Sequence, residues 1–107
     1  MSVVVQEGER EEVKQIVERL ITEGRAQEVV ILIYLLRYPR GALLADIREV
    51  VGKGKVASHR QTLVYIMRLK ELGLIEEERR RRNRLFYLTE KGVKVAEMLA
   101  NLLKGVE

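Results

Sequence analysis

The helical spacing of apolar residues is interrupted once along this chain of 107 residues, and that interruption restricts the fold more than any other feature. Up to Leu72 the apolar positions recur every three or four residues, the period of a helix. From Leu74 to Leu88 that period is lost, with Ile75–Arg79 and Arg84–Leu88 reading as two strands around a basic turn, and after Thr89 the helical spacing returns. A short strand pair set between helices, in a chain of single-domain length, implies a mostly α fold with one β-hairpin on the outside of a helical core.

The punctuation places the elements. A first helix is expected over about Glu9–Ile21, where Val13, Ile16, Val17 and Leu20 form one stripe, with residues 1–8 disordered and Gly24 suited to a left-handed cap that closes the unit 9–25. A second helix spans about Ala26–Arg37. Its unbroken run Val29–Leu36 would also suit a strand, but the Ala26-Gln27-Glu28 start favours a helix, buried on all sides. Tyr38-Pro39-Arg40-Gly41 forces a turn. A short helix follows over about Ala42–Val51, broken by Gly52-Lys53-Gly54-Lys55. The next starts at Ser58, a good N-cap, and ends at Leu72 before Gly73, with Thr62, Ile66 and Leu69 facing inward, helped by Leu63 and Leu72.

Strands are expected at Ile75–Arg79 and Arg84–Leu88, around a basic turn containing Asn83. Thr89 caps a last helix that reaches about Lys104. That helix carries Val95, Leu99, Leu102 and Val106 on one side and Val93, Ala96, Ala100 and Leu103 on the other, more apolar surface than one small copy can use. The whole reads as a single domain, 1–107, with a core at 26–92 and a dimerisation helix at 93–107. A homodimer through the N-terminal, second and C-terminal helices is the expected assembly.

Composition removes several function classes. With no cysteine, and His59 as the single histidine, disulfides, thiolate chemistry and most zinc sites are excluded. No spacing among the 16 acidic residues singles out a catalytic pair, and the lone Gly52-Lys53-Gly54-Lys55 does not match a phosphate-binding P-loop. The expectation is therefore no enzyme, no cofactor and no metal. The run Val29–Leu36 is too short to cross a bilayer, and Met1–Gly8 lacks the basic start and apolar stretch of a signal peptide, so a cytoplasmic protein is expected. The absence of Cys and Trp beside so many Glu, Lys and Arg fits a protein selected for heat.

Charge is polarised along the chain. Residues 1–30 carry four basic and seven acidic side chains, whereas residues 53–94 carry twelve basic and five acidic, which directs positive potential at a polyanion. Three stretches then carry a resemblance: Leu43-Leu44-Ala45-Asp46-Ile47, Leu69-Lys70-Glu71-Leu72-Gly73-Leu74-Ile75 and Phe86-Tyr87-Leu88-Thr89-Glu90-Lys91-Gly92. In this order and spacing, over about half the chain, the sequence resembles the winged helix-turn-helix regulators of the MarR and PadR kind, in an archaeal or thermophile form.

The resemblance implies a DNA-binding transcriptional regulator, nucleoid-associated, with double-stranded DNA as partner. It also makes Ser58–Leu72 a recognition helix for the major groove. Arg60, Gln61, Val64, Tyr65 and Arg68 would then point outward to base edges, with Ser58 and His59 nearer phosphate. Lys53 and Lys55 would clasp phosphate. Arg79, Arg80, Arg81, Arg82 and Arg84 would form a wing for the minor groove or the phosphates, since a tip this basic is best relieved by an anion. A competing reading pairs Arg79–Arg82 with Glu76–Glu78 as a solvated charge lattice. Two other roles fit the same fold: an architectural DNA binder without base preference, and a winged-helix module that docks on protein. Operator, regulated genes and effector leave no mark in the sequence.

Overall fold

The computed structural model describes residues 2–52 and 57–106. In chain order these form α1 (Ser2–Thr22), α2 (Ala26–Arg37), β1 (Ala42–Leu43), α3 (Leu44–Val51), α4 (His59–Glu71), β2 (Ile75–Arg80), β3 (Asn83–Leu88) and α5 (Glu90–Val106). The apolar stripe of α1 is buried as its spacing requires, with Val13, Ile16, Val17 and Leu20 all in the core. The helix begins at Ser2, however, not at Glu9. Once the downstream stripe has nucleated a helix, each further turn adds hydrogen bonds at little cost.

Two helix ends use the same device. After α1, Gly24 takes φ 64° while its amide donates to the Ile21 carbonyl at 3.1 Å and that of Arg25 donates to Leu20 at 3.0 Å. After α4, Gly73 takes φ 76°, with its amide on Lys70 at 2.9 Å and that of Leu74 on Leu69 at 3.0 Å. Both are Schellman caps, which need a residue free to adopt the left-handed conformation. The second one turns the chain directly from α4 into the hairpin, with Leu69 and Leu74 both fully buried.

Helix α2 runs through the middle of the domain, packed by α1, α3, α4, α5 and β3. Ile31, Leu32 and Leu35 are fully buried, but Val30 and Ile33 on the opposite face are only half-buried. The expectation of burial on all sides is thus corrected for the single chain. Its continuous apolar run covers two faces, of which the domain itself closes one.

The sheet has a third strand that helical spacing conceals. Ala42 and Leu43 pair antiparallel with Phe86 and Leu85, so the strand order is β1-β3-β2 and the expected helix over Ala42–Val51 begins only at Leu44. Two residues are too few to show a period, and Ala42 reads as well in a helix as in a strand. In the hairpin, Ile75 pairs with Leu88, Glu77 with Phe86, Arg79 with Arg84 and Arg80 with Asn83. Asn83 therefore belongs to the last rung, and the turn itself is Arg81-Arg82.

A positive φ at Arg81, 35°, and at no other non-glycine among the described residues, follows the type II′ pattern, which prefers glycine there. Arg81→Gly is accordingly expected to stabilise the domain by about 1 kcal/mol, seen as a higher urea midpoint at unchanged slope.

Helix α5 returns across α2 and lies antiparallel to α1, joined by ion pairs of Lys91 with Glu12 and Lys94 with Glu9. Val95, Ala96 and Leu99 face the core, whereas Leu102 and Leu103 stay about half exposed. The side chain of Val106 lies outside the described residues. Among the described residues no helix is long and apolar enough to cross a membrane.

Candidate nucleic-acid interface

The helix α4 follows α3 across a short connection, and the side chains of α4 divide cleanly by face. Thr62, Ile66 and Leu69 are buried, as their spacing predicts, and the Thr62 hydroxyl is satisfied by donating to the Ser58 carbonyl at 2.8 Å. Ser58 caps the helix, its hydroxyl oxygen accepting from the Gln61 amide at 3.3 Å. The oxygen still has a proton to donate. His59, Arg60, Gln61, Val64 and Arg68 are exposed. Tyr65 is half-buried and packs against the core, at the edge of the outward face.

Met67, which the spacing argument passes over, is 58% exposed and shares the outward face with Arg60 and Val64. A full turn of the helical wheel beyond Arg60 and Val64 could have found it. Lys53 and Lys55 lie outside the described residues.

A second unforeseen residue is Arg48 on α3. Its Nε donates to the Ala57 carbonyl at 2.8 Å, and the Ala57 amide donates back to the Arg48 carbonyl at 3.1 Å. This reciprocal pair fixes the approach to the α4 N-terminus from nine residues away. Sequence spacing carries no signal for such a contact.

The basic hairpin is not uniform. Arg84 donates from Nε and Nη2 to the two carboxylate oxygens of Glu77 at 2.7 and 3.0 Å, while its guanidinium lies 5.4 Å from the centre of the Phe86 ring. Arg84 is therefore committed to the hairpin, unlike the tip arginines. Arg79 approaches Glu77 at 3.7 Å and Arg80 approaches Glu78 at 3.3 Å, each two residues along the same strand. Both remain mostly exposed, so these pairs are weak. Among the described residues Arg81 and Arg82, at the turn, have no carboxylate in ion-pair range. The charge lattice exists at the root of the hairpin and stops short of its tip.

The Arg84 guanidinium, with Lys70 beside it, holds the Glu77 carboxyl at about 2, well below its ordinary 4.5. Because the folded value is depressed, the stabilisation is complete above about 4.5 and is lost as pH falls toward 2. The urea midpoints of wild type and Glu77→Gln should therefore differ at neutral pH and converge as pH approaches 2. Parallel curves across that window would contradict this.

Helix-turn-helix, three-stranded sheet and basic hairpin together define a winged helix. No family model matches the chain, and no curated protein matches it either. Solved structures do. AF1382 from Archaeoglobus fulgidus superposes with a TM-score of 0.66 at 17% identity, covering 83% of this chain and 97% of that one. MepR from Staphylococcus aureus, a transcription regulator of the multidrug efflux pump MepA, gives 0.70 at 16% identity over 99% of this chain and 78% of its own. The MepR–DNA complex gives 0.69 at 17% identity, covering 96% and 82%. At such identities the likeness establishes the fold, and the winged-helix expectation is borne out.

Proposed function

We propose that this chain is a homodimeric, sequence-specific DNA-binding regulator of transcription and not an enzyme. The observation that carries the reading is the pairing of an outward α4 face bearing Arg60, Gln61, Val64 and Met67 with a hairpin whose tip arginines, Arg81 and Arg82, lack a protein partner among the described residues. Arginine suits guanine O6 and N7, glutamine suits adenine, and Val64 suits a thymine methyl. Tyr65 and Arg68 flank these contacts, and Ser58 and His59 reach phosphate from the helix start. Lys53 and Lys55 extend the phosphate contacts. Arg79 and Arg80 exchange their weak intrastrand pairs for the backbone or the narrow minor groove. Arg84 contributes charge from behind Glu77. The solved MepR–DNA complex supports the reading, since a protein of this fold binds DNA there.

One recognition helix reads only a few base pairs, so useful selectivity in a genome calls for two copies on one site. The half-exposed Leu102 and Leu103, with Val30 and Ile33 on the open face of α2, supply apolar surface for the second copy. Replacing Leu102 and Leu103 together by glutamate is expected to give a monomer by light scattering. A dimer that persists would move the interface elsewhere.

Selection of tight binders from a random duplex pool, followed by footprinting, tests the function. Two half-sites about 10 bp apart are expected, bound at least ~10³-fold more tightly than random duplex. A ratio near one would contradict sequence specificity and leave an architectural binder.

A further inference from the structure

Three glutamates follow one another in β2, and the middle one behaves unlike its neighbours. Glu76 and Glu78 are exposed, whereas the Glu77 side chain is 11% exposed, on the hairpin face it shares with Ile75 and Phe86. Its Oε1 accepts from Lys70 Nζ at 3.2 Å and from Arg84 Nη2 at 3.0 Å. Its Oε2 accepts from Arg84 Nε at 2.7 Å and lies 3.7 Å from Arg79 Nε. One carboxylate thus gathers cations from three elements: the last turn of α4, β2 and β3. Stacking over the buried Phe86 ring fixes Arg84 from its other side.

Without that carboxylate, Arg84 would lose its bidentate partner and Lys70 would lie near it as a like charge, with the exposed Arg79 beside them. Losing the Lys70–Glu77 tie and gaining that repulsion would loosen the angle between α4 and the hairpin, which pack on each other beside the tight cap at Gly73. Solubility alone would have been served by a third exposed glutamate.

We propose that Glu77 is a positioning residue that sets the pitch of the wing against the recognition helix, so that the tip arginines and the α4 face meet the same stretch of DNA together. Glu77 touches no DNA. It acts through Arg84 and Lys70, and its effect on binding passes entirely through the wing. This inference rests on the DNA-binding reading above.

The test is a cycle of four proteins on one duplex: wild type, Glu77→Gln, a tip variant with Arg81→Ala and Arg82→Ala, and the combination. Glu77→Gln is expected to weaken binding by about tenfold. It should also lower the slope of log affinity against log salt, as the tip variant does, and the combination should bind no more weakly than the tip variant alone. Additive losses, or an unchanged salt slope in Glu77→Gln, would overturn the proposal, because a merely destabilising substitution does not silence the wing selectively. Should Glu77→Gln not fold, Lys70→Met removes only the α4 share of the clamp and carries the same cycle. If the wild type and tip variant behave as DNA binders and the cycle is additive, this inference fails alone. Absence of salt-dependent binding by the wild type overturns the DNA reading and this inference with it.

Discussion

Gly92→Ala is expected to cost more than about 3 kcal/mol, and Gly92→Val to prevent folding. A Cβ at this position would lie 2.0 Å from the Leu74 carbonyl oxygen, 3.0 Å from its carbonyl carbon and 3.2 Å from Leu88 Cδ2. The obstacle is backbone, and it is held on both sides. The Leu74 carbonyl accepts from the Thr89 amide at 3.0 Å, the Leu74 amide is tied to Leu69 at 3.0 Å, and the Leu74 side chain is fully buried. Relief would require α5 to lift off the root of the hairpin, which breaks the Thr89 cap and uncovers the surface beneath Val95 and Ala96. Gly105→Ala is the control: nothing lies within 4 Å of its Cβ, and alanine there should be neutral or slightly stabilising. Urea unfolding of the two variants measures the contrast, and similar midpoints would contradict the packing of α5 on Leu74.

Arg25→Ala is expected to cost about 3–5 kcal/mol, because it strands a buried carboxylate. Glu28 is 1% exposed, and its two oxygens accept from Arg25 Nε at 2.8 Å and Nη2 at 2.5 Å. Arg25 also reaches Glu23 at 3.3 Å, so the guanidinium ties the first turn of α2 to the turn that follows α1. The pair recovers little net energy over a hydrophobic contact of the same volume, since both charges are desolvated. Replacing both residues at once, Arg25→Met with Glu28→Leu, should therefore restore most of what Arg25→Ala loses. Denaturation of the single and double variants decides between a pair valued for its mutual compensation and an exposed ion pair, for which Arg25→Ala would cost below about 1 kcal/mol.

The elements that the sequence makes legible are those set by repetition or by a cap. The bounds of α2 follow from a long apolar run ended by Tyr38-Pro39, and those of α4 from Ser58 and Gly73. The inward set Thr62, Ile66 and Leu69 follows from helical spacing alone. Four features escape for separate physical reasons. Strand β1 is two residues long and exists because β3 offers an edge. Val30 and Ile33 belong to an apolar run whose outer side this chain does not cover. The burial of Glu28 depends on the N-cap residue Arg25 folding over the first turn of α2, where composition suggests only a solvated helix start.

The hairpin is the fourth and bears most on the site. Six basic or polar residues in a row read as one patch, but strand pairing brings Glu77 opposite Phe86 and so within reach of Arg84, two residues along β3 on the same face, and the patch divides into a structural root and a free tip. Arg48 completes the same lesson for the helix-turn-helix. The contact between residues nine apart is decided by how α3 and α4 cross, whereas Met67 lies within reach of the helical spacing.

Anisotropy titration of the wild type and of a variant with Arg79–Arg82 replaced by alanine, against a fluorescent mixed-sequence duplex at several salt concentrations, tests DNA binding most directly. A linear fall of log affinity with log salt is expected, with a slope implying several phosphate contacts, and shallower by about 0.9 for each phosphate that the variant's wing no longer neutralises. Absence of binding by the wild type at low salt would contradict DNA recognition by this winged helix and turn the basic hairpin toward an acidic protein partner.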